Sequence, residues 1–305
     1  MRNSRRLALG ATLLALIVGA CGSGGGSKPT VKVGSVGFAE AKVMAEVYAE
    51  ALEANGYTVD RAGIGLGARP VVAPAIESGQ IDLQPEYIGS RLTYEGGSPT
   101  GDSAANFSAL QPKLSAKHLT ALNYAPAIDT NAFVVRADTA AQYNLAKMSD
   151  TTAVQGQLKW GLAEDCPTNA LCGAPGGALS QYGITSDTIA AATLLSACDT
   201  PMAEALKNGT IDVAELCSTQ PDILVNGWVV LQDDKSTQPA DNIAPIVRND
   251  LLAKVDQASF EKILNDISAK VDTVTLADLY KQASVDHKDL KEVAHAWLKA
   301  NGFVQ

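Results

Sequence analysis

The chain has 305 residues, of which 46% are hydrophobic and 19% charged, and its formal net charge is −9. This acidic balance argues against a nucleic-acid partner, because a phosphate backbone is bound by clusters of Lys and Arg. The length exceeds that of a typical single hydrophobic core, so at least two structural units are expected.

The first 20 residues predict a secretory signal peptide. Three arginines within the first six residues precede the apolar run 7–18, and small residues follow it. This layout is typical of a cleaved signal, and the run is too short to span a membrane comfortably. Residues 18–21 read Val-Gly-Ala-Cys, which resembles a bacterial lipobox and predicts lipid attachment at Cys21. An ordinary signal peptide followed by a chance cysteine is the alternative.

Residues 21–30 are rich in Gly and Ser and predict a flexible tether behind the lipidated cysteine. The protein is therefore expected on the extracytoplasmic face of the cell membrane, held there by its lipid. Without the signal peptide the chain keeps 21 basic and 33 acidic side chains, a net charge of −12, as suits a soluble surface.

The first part of the mature chain predicts a β-α-β-α-β order. Apolar residues alternate in the strand segments and recur every three or four residues in the helices. Such an order indicates a mainly parallel sheet covered by helices. The predicted strands are 31–35, 58–62 and 81–83, and the predicted helices are 39–55 and 70–78.

Residues 63–67 contain three glycines and are interpreted as a tight turn. Their Gly-x-Gly-x-Gly pattern also invites a dinucleotide-binding interpretation. It lacks the full fingerprint, however, and Pro70 stands where the following helix would need free amide groups. No nucleotide cofactor is therefore expected.

Residues 75–82 read Ala-Ile-Glu-Ser-Gly-Gln-Ile-Asp, and residues 205–212 read Ala-Leu-Lys-Asn-Gly-Thr-Ile-Asp. Each stretch predicts a helix end, a glycine stop and a short buried strand. Such junctions are common in α/β proteins, so chance similarity is the alternative. The repeat favours two units built alike. Only the first copy continues into 85–90, which carries Tyr87.

The remainder of the chain predicts a second α/β unit followed by a helical C-terminal region. Two apolar strands, 131–136 and 244–247, are candidates for the crossings into the second unit and back. The other predicted elements are strands at 119–125, 159–163, 211–216 and 228–232, and helices at 86–94, 187–195, 201–207 and within 250–303.

Four cysteines lie in the middle third of the mature chain. An even number in an oxidising compartment predicts disulfides, for which three pairings are possible. We favour Cys166–Cys172, which closes a small loop, together with Cys198–Cys217. A zinc site is disfavoured because the spacings do not fit and no His is near.

The chain carries no G-x-S-x-G, H-E-x-x-H or P-loop motif. His287 and His295 lie in polar helices, where surface positions are more typical than ligand positions. The adjacent acids at 164–165 and 233–234 are typical of solvated loops. We therefore expect neither an enzyme nor a cofactor or metal.

Several stretches, in this order and spacing, resemble the osmoprotectant-binding proteins of ABC importers, which bind glycine betaine, choline, carnitine or proline betaine. The resemblance implies a type II periplasmic-binding-protein fold, in which two α/β lobes joined by two hinge strands close on a small solute. It implies lobe I at 31–128 and 238–305, lobe II at 129–237, a monomer, and docking on ABC permease subunits. The stretches are 34–40, 65–67, 79–90, 129–133, 205–209, 229–235 and 242–248.

Members of this family hold a quaternary ammonium in a box of tyrosines by cation–π attraction. Tyr87 matches one box position and Ser90 a neighbouring hydroxyl position. Asn131 and Asp241 stand where the family has aromatics, and Val36 replaces a basic residue. The resemblance implies ligand contacts from Phe38, Tyr87, Ser90, Asp129, Asn131, Trp160, Thr219, Gln220 and Asp241.

These departures favour a ligand that is more hydroxylated, or less anionic, than glycine betaine. Choline, a polyol or a small sugar-like solute fits better. Trp160 and Tyr182 could restore the cage from lobe II, although core packing is the alternative for each. A lipid-anchored adhesion or structural protein with the same fold and no transported ligand is the second functional hypothesis.

Overall fold

The structure is a computed structural model that describes residues 28–169, 171–196, 198 and 200–305. The predicted signal peptide, Cys21 and most of the predicted tether lie outside the described residues. The strands are β1 (Thr30–Val36), β2 (Thr58–Gly67), β3 (Leu83–Tyr87), β4 (Leu119–Ala121), β5 (Asn131–Val135), β6 (Trp160–Ala163), β7 (Thr193–Leu195), β8 (Val213–Cys217), β9 (Val229–Val230) and β10 (Ile243–Arg248).

Helices cover both faces of the sheets that these strands form. They are α1 (Ala39–Ala54), α2 (Arg69–Ser78), α3 (Ile88–Tyr94), α4 (Ser103–Ser115), α5 (Ala137–Tyr143), α6 (Ala178–Gln181), α7 (Ser186–Ala190), α8 (Thr200–Lys207), α9 (Pro221–Asn226), α10 (Asn249–Leu252), α11 (Gln257–Ser268), α12 (Thr273–Ser284) and α13 (Leu290–Ala300). Short 3-10 helices span Met148–Thr151, Gln155–Gln157 and Cys166–Thr168.

Two five-stranded sheets have the same topology. The first has the order β2-β1-β3-β10-β4 and the second β7-β6-β8-β5-β9. In each, three parallel strands are followed by one antiparallel strand that comes from a distant part of the chain, and a last strand pairs antiparallel with that one. We call the structure around the first sheet lobe I and that around the second lobe II.

The chain crosses between the lobes after β4 and again before β10. The two crossing segments run antiparallel, with a β-bridge between Ile128 and Asn242. The backbone N–H of Asp129 donates to the carbonyl of Asp241 at 3.1 Å. Strands β5 and β10 therefore continue from the crossings, as expected for 131–136 and 244–247.

The repeated stretches occupy matching junctions, α2 to β3 and α8 to β8. In lobe I the backbone N–H of Asp82 donates to the carbonyl of Lys32 at 2.7 Å, and its carboxylate accepts from the Lys32 N–H at 3.1 Å. In lobe II Asp212 makes the same two bonds with Lys159, at 2.7 and 3.0 Å. The repeat is therefore a structural one.

Each junction is held further by a glycine and an arginine. Gly79 and Gly209 have φ of 80° and 77°, the left-handed conformation that ends a helix with least strain on glycine. Asp82 pairs with Arg248 at 3.5 Å, and Asp212 pairs with Arg136 at 3.0 Å. Both arginines lie at the end of an antiparallel strand, so each ties that strand to its sheet.

Lobe I has one hydrophobic core, which α1 crosses with a face that is buried almost completely. Lobe II has two clusters, one on each face of its sheet. Strand β5 separates them, since Phe133 and Val135 point into one cluster and Ala132 and Val134 into the other. Among the described residues, no helix is long and apolar enough to cross a membrane.

The structure contains the disulfides Cys166–Cys172 and Cys198–Cys217, which are the favoured pairings. The first lies in the lobe II core, where both its cysteines are buried. The second connects the end of β8 to the segment before α8, and its Cys217 faces the space between the lobes.

Two sequence-based predictions of secondary structure are wrong in type, and some ends differ, as for β3, which is Leu83–Tyr87 rather than 81–83. Residues 63–67 are not a turn but the second half of β2. Gly63 lies so close to β1 that an added Cβ would stand 2.4 Å from the Ile81 side chain and 3.1 Å from the Gly34 Cα. The glycines therefore serve close strand packing. The helix expected at 187–195 ends at Ala190, and Thr193–Leu195 is the edge strand β7, paired with β6.

The packing at Gly63 gives a stability prediction. Gly63→Ala places a methyl group against backbone and the Ile81 side chain, and overpacking of this kind should lower the free energy of unfolding by about 1–3 kcal/mol. Gly156→Ala is the control, because its Cβ would meet no atom within 4 Å, and its effect should stay within about 0.5 kcal/mol. Urea unfolding of both variants measures the difference, and equal losses would contradict this account of the strand.

Candidate functional site

The cleft between the lobes contains two adjoining cavities that share Asp129 and Cys217. The first, of about 320 Å3, is lined by Gly89, Ser90, Thr93, Pro99, Asp129, Thr130, Asn131, Leu171, Cys217, Gln238, Pro239 and Asp241. The second, of about 220 Å3, is lined by Phe38, Ala39, Glu40, Asp129, Cys198, Cys217, Thr219, Gln220 and Tyr280. Both lobes contribute to each cavity.

Glu40 is the central acid of the second cavity. It lies in the first turn of α1, which begins directly after β1, and only 6% of its surface is exposed. The Tyr87 hydroxyl donates to its Oε1 at 2.6 Å. Its carboxyl group lies beside that of Asp129, which belongs to the first crossing segment, and the Thr219 hydroxyl reaches both. Glu40 thus connects lobe I to the hinge.

Asp129 receives a hydrogen bond from lobe II. The Thr219 hydroxyl, in the turn after β8, donates to its Oδ1 at 2.8 Å and lies 3.5 Å from Glu40 Oε2. Burial raises the pKa of Glu40 to about 8, and the nearby Asp129 charge acts in the same direction. Burial raises the pKa of Asp129 as well. Burial and the neighbouring charge therefore favour the protonated form of Glu40.

Asp241 lines the first cavity, but its carboxylate is hydrogen-bonded to lobe I. One carboxylate oxygen accepts from the backbone N–H groups of Gly89 and Ser90, at 2.7 and 3.0 Å, and the other accepts from the Ser90 hydroxyl at 2.5 Å. Burial raises its pKa to about 6. These bonds hold the start of α3 to the second crossing segment. Asp241 and Ser90 therefore lie hydrogen-bonded to each other in the wall of the first cavity.

Asp129 and Asp241 are equivalents in the two lobes. Each lies two residues before the antiparallel strand of its sheet, and each accepts bonds from the segment that follows the neighbouring strand. They differ in the number and the source of the hydrogen bonds that their carboxyl groups accept. Asp241 accepts three bonds from lobe I, whereas Asp129 accepts one from Thr219 and lies beside Glu40.

Three further predicted residues lie in the cleft. Asn131 lines the first cavity and donates to the buried Glu215 at 3.2 Å. Gln220 lines the second cavity, is 5% exposed, and has a side-chain oxygen with no hydrogen-bond partner among the described residues. Phe38 is 60% exposed beside the second cavity.

Trp160 and Tyr182, which could have restored an aromatic cage around Tyr87, line neither cavity. Tyr87 is buried behind Glu40 and lines neither cavity. Trp160 lies in the lobe II core, with its ring against Phe133 and its indole N–H donating to the Gln155 carbonyl at 3.1 Å, so its expected place in the cleft is corrected. Tyr182 packs in the same core and donates its hydroxyl to Asp233.

Sequence reasoning missed Glu40, Glu215 and Tyr280. Glu40 lies in the stretch 34–40 that resembles the family, but an acid in the first turn of a helix is usually explained by the helix dipole. A stronger signal was available for Glu215, because a charged residue inside a buried strand needs a partner. Its carboxylate accepts from the Ala163 N–H at 2.9 Å and from Asn131.

The cleft is acidic and lacks opposing positive charge. Among the described residues that line the two cavities, none is Lys, Arg or His. Arg69, whose charge lowers the pKa of Asp241, is paired with Glu86 at 2.9 Å. The arrangement therefore offers hydrogen-bond acceptors and negative charge to a small molecule, and the described residues that line it include no cationic side chain that would pair with a carboxylate.

Comparison with known proteins agrees with this two-lobed architecture. The chain is 28% identical over 284 residues to the glycine betaine-binding protein YehZ of Escherichia coli, covering 90% of this chain and 92% of YehZ. It is 25% identical over 292 residues to the carnitine transport binding protein OpuCC of Listeria monocytogenes, covering 93% and 91% of the two chains.

Solved structures show the same fold. The apo structure of E. coli YehZ matches with a TM-score of 0.79 and 26% identity, over 90% of this chain and 99% of that one. A glycine betaine/carnitine/choline ABC transporter structure also gives 0.79, at 22% identity and the same coverage. The predicted two-lobed binding-protein fold is therefore confirmed.

A family model, described as the substrate-binding domain of an ABC-type glycine betaine transport system, matches residues 29–300. This range covers nearly all of the described chain, and it confirms the resemblance drawn from the sequence motifs. The chain belongs to the family of substrate-binding domains of ABC-type glycine betaine transport systems.

Proposed function

We propose that this protein captures a small organic cation without a carboxylate group between its lobes and delivers it to the permease of an ABC importer. Choline is the quaternary ammonium example of this ligand class. The observation that carries the proposal is the cleft in which Glu40, Asp129 and Asp241 are gathered and no basic side chain lines either cavity. Membership of a substrate-binding family supports a receptor rather than an enzyme.

The charge pattern separates ligand classes. A betaine or carnitine carries a carboxylate, which would have to lie beside buried acids without a paired cation, at a considerable electrostatic cost. A cation gains instead, because buried carboxyl groups gain most from an opposite charge within about 4–6 Å. A hydroxyl group on the ligand can use the polar wall of the first cavity.

A cation bound at the crossing segments would favour closure of the two lobes. Asp129 lies on a crossing segment, Glu40 comes from lobe I and Thr219 from lobe II, so a cation placed among them contacts both lobes at once. Binding would then favour the arrangement in which the lobes are together, as population shift requires. We assign lobe I to 31–128 and 238–305 and lobe II to 129–237 on the basis of the two sheets.

The anchoring proposal rests on the sequence. We propose that a signal peptide is removed before Cys21, that Cys21 carries the lipid, and that the tether holds the monomeric binding domain at the extracytoplasmic face. Lobes free to open near the membrane suit delivery to permease subunits. A lipid-anchored adhesion protein with the same fold would need no such acidic cleft.

A thermal-shift screen tests the ligand class. Choline should raise the melting temperature, with a stabilisation of about 2.7 kcal/mol at a concentration of 100 times its Kd. Glycine betaine, carnitine and sorbitol at equal concentrations should give smaller shifts, because they are zwitterionic or uncharged. A larger shift with glycine betaine than with any cation would contradict the proposed class. No shift with any solute would favour the adhesion hypothesis.

The buried Glu40 carboxyl predicts a pH dependence of the unliganded protein. Its pKa is about 8 in the folded chain and about 4.3 in an unfolded one. Between these values only the folded state holds the proton. The free energy of unfolding should therefore fall as the pH rises from 5 to 8, by up to about 1.4 kcal/mol per pH unit from this group.

Melting temperatures between pH 5 and 8 measure this dependence. Glu40→Gln should flatten the slope, because the group that holds the extra proton is gone. Glu204→Gln is the matched control, since the Glu204 side chain is 56% exposed on α8, and it should leave the slope unchanged. If the slopes of the two variants were the same, Glu40 would not be the group that titrates.

A further inference from the structure

We propose that the disulfide Cys198–Cys217 is a redox-sensitive part of the cleft wall. Its reduction by a dithiol weakens solute binding while the domain stays folded. This regulation rests on the proposed function, because it acts on the same cleft, but it does not depend on which solute binds there. We call this bond the cleft disulfide and Cys166–Cys172 the core disulfide.

The two disulfides of lobe II differ in exposure. Cys166 and Cys172 are 0% and 2% exposed and lie in a hydrophobic core. Cys198 and Cys217 are each partly exposed. Both line the second cavity, and Cys217 also lines the first. Exchange requires a thiolate to reach the bond, so exposed disulfides are the labile ones. A small dithiol that enters the cleft therefore reaches the cleft disulfide before the core disulfide.

The segment that the cleft disulfide holds is part of the binding wall. Cys217 is the last residue of β8, and its carbonyl accepts from the Gln220 N–H at 2.9 Å, which closes the turn 217–220. Thr219 and Gln220 both line the second cavity, and the Thr219 hydroxyl donates to Asp129 at 2.8 Å. The cleft disulfide thus fixes the base of a turn that places two cavity side chains.

The same turn connects lobe II to the hinge. The Ser218 hydroxyl donates to the Ile128 carbonyl at 2.9 Å and accepts from the Thr130 N–H at 3.0 Å. The Ser218 N–H donates to the Thr130 carbonyl at 2.9 Å. Ile128 and Thr130 belong to the first crossing segment. A cross-link at the base of this turn therefore also restricts how the cavity wall moves against the hinge.

The other end of the cleft disulfide is attached at a strained position. Cys198 lies between β7 and α8, and its φ is 56°. A residue other than glycine is strained in this left-handed conformation and keeps it only where the surrounding structure holds it. Reduction removes the bond that holds Cys198, so the residue relaxes away from the cavity that it lines.

The dithiol alone balances the reaction. One of its thiolates attacks the sulfur of Cys198 or Cys217, and the other cysteine leaves as a thiolate. The second thiolate of the reagent then displaces the first cysteine from the mixed disulfide. The protein gains two electrons and two protons as two cysteine thiols, and the dithiol is oxidised to a disulfide.

Binding and reduction are coupled in both directions. If reduction weakens solute binding tenfold, bound solute favours the oxidised protein by the same factor. A tenfold change in this two-electron equilibrium corresponds to about 30 mV. Saturating solute should therefore lower the reduction potential of the cleft disulfide by about 30 mV, which equilibration in dithiothreitol redox buffers measures.

Stepwise reduction of the full mature protein with dithiothreitol tests the proposal. Alkylation followed by mass spectrometry should find the cleft disulfide reduced at least tenfold faster than the core disulfide. Isothermal titration calorimetry with choline and with glycine betaine measures affinity before and after this step, and circular dichroism checks that the protein is still folded. The affinity for whichever solute binds should fall about tenfold.

The double variant Cys198→Ser, Cys217→Ser is the matched comparison. It should bind as weakly as the selectively reduced protein. Dithiothreitol should no longer change its affinity, because the variant keeps the buried core disulfide and lacks the cleft disulfide. If the variant fails to fold, reduction of the unmodified protein still decides.

The outcomes separate this regulation from the proposed function. Equal reduction rates of the two disulfides, or unchanged affinity after selective reduction, would overturn the redox proposal and leave the receptor. Unfolding on reduction would also overturn it, because the cleft disulfide would then be a structural requirement only. Absence of binding of either solute to the oxidised protein would overturn the proposed function, and this regulation with it.

Discussion

Burial of carboxyl groups where the chain crosses between the two sheets is the constraint on which the cleft depends. Glu40 is 6% exposed, and Asp129 and Asp241 are partly buried, and a buried acid must be neutralised, hydrogen-bonded or paired with a cation. Asp241 is satisfied by lobe I itself. Glu40 and Asp129 accept hydrogen bonds from the Tyr87 and Thr219 hydroxyls, but no cationic side chain is among the described residues that line their cavity, and this leaves a place for an external positive charge.

The two lobes share one architecture but place different side chains at the cleft. Their sheets, their helix–glycine–strand junctions and their hinge aspartates correspond position by position. The correspondence ends after β3 and β8. In lobe I the turn gives Gly89 and Ser90 to Asp241. In lobe II it gives Thr219 to Asp129 and leaves Gln220 facing a cavity. Binding chemistry therefore arises where the symmetry of the scaffold is broken.

The aromatic residues of the cleft limit what the family resemblance implies about the ligand. Family membership is carried by scaffold motifs, and these are present along the whole chain. In the part of the chain that the structure describes, Tyr87 donates its hydroxyl to Glu40 and Trp160 packs in the lobe II core, so neither lines the cleft cavities. Family membership therefore does not by itself identify the ligand, because packing of the sheets constrains one set of positions and the solute constrains another.

Much of the fold followed from the sequence because its causes are local. Gly79 and Gly209 end helices through a backbone preference that no distant residue alters, and the alternating apolar residues of 131–136 predicted a buried strand. Where the cause was a distant contact, prediction failed. The glycines at 63–67 read as a turn, since nothing in the sequence shows that Ile81 and Gly34 press against Gly63. Thr193–Leu195 became a strand only because β6 was available as a partner.

The family, the two-lobed α/β architecture, the repeat and the acidic character of the protein could be predicted before folding was considered, because motifs, periodicity and charge are properties of the chain. Which acids lie next to one another depends on the folded arrangement. Glu40 and Asp129 are far apart in sequence, and neither carries a local signal that it will be buried beside the other. Their encounter depends on how the two crossing segments place lobe I against lobe II, and the chemistry of the cleft follows from that encounter.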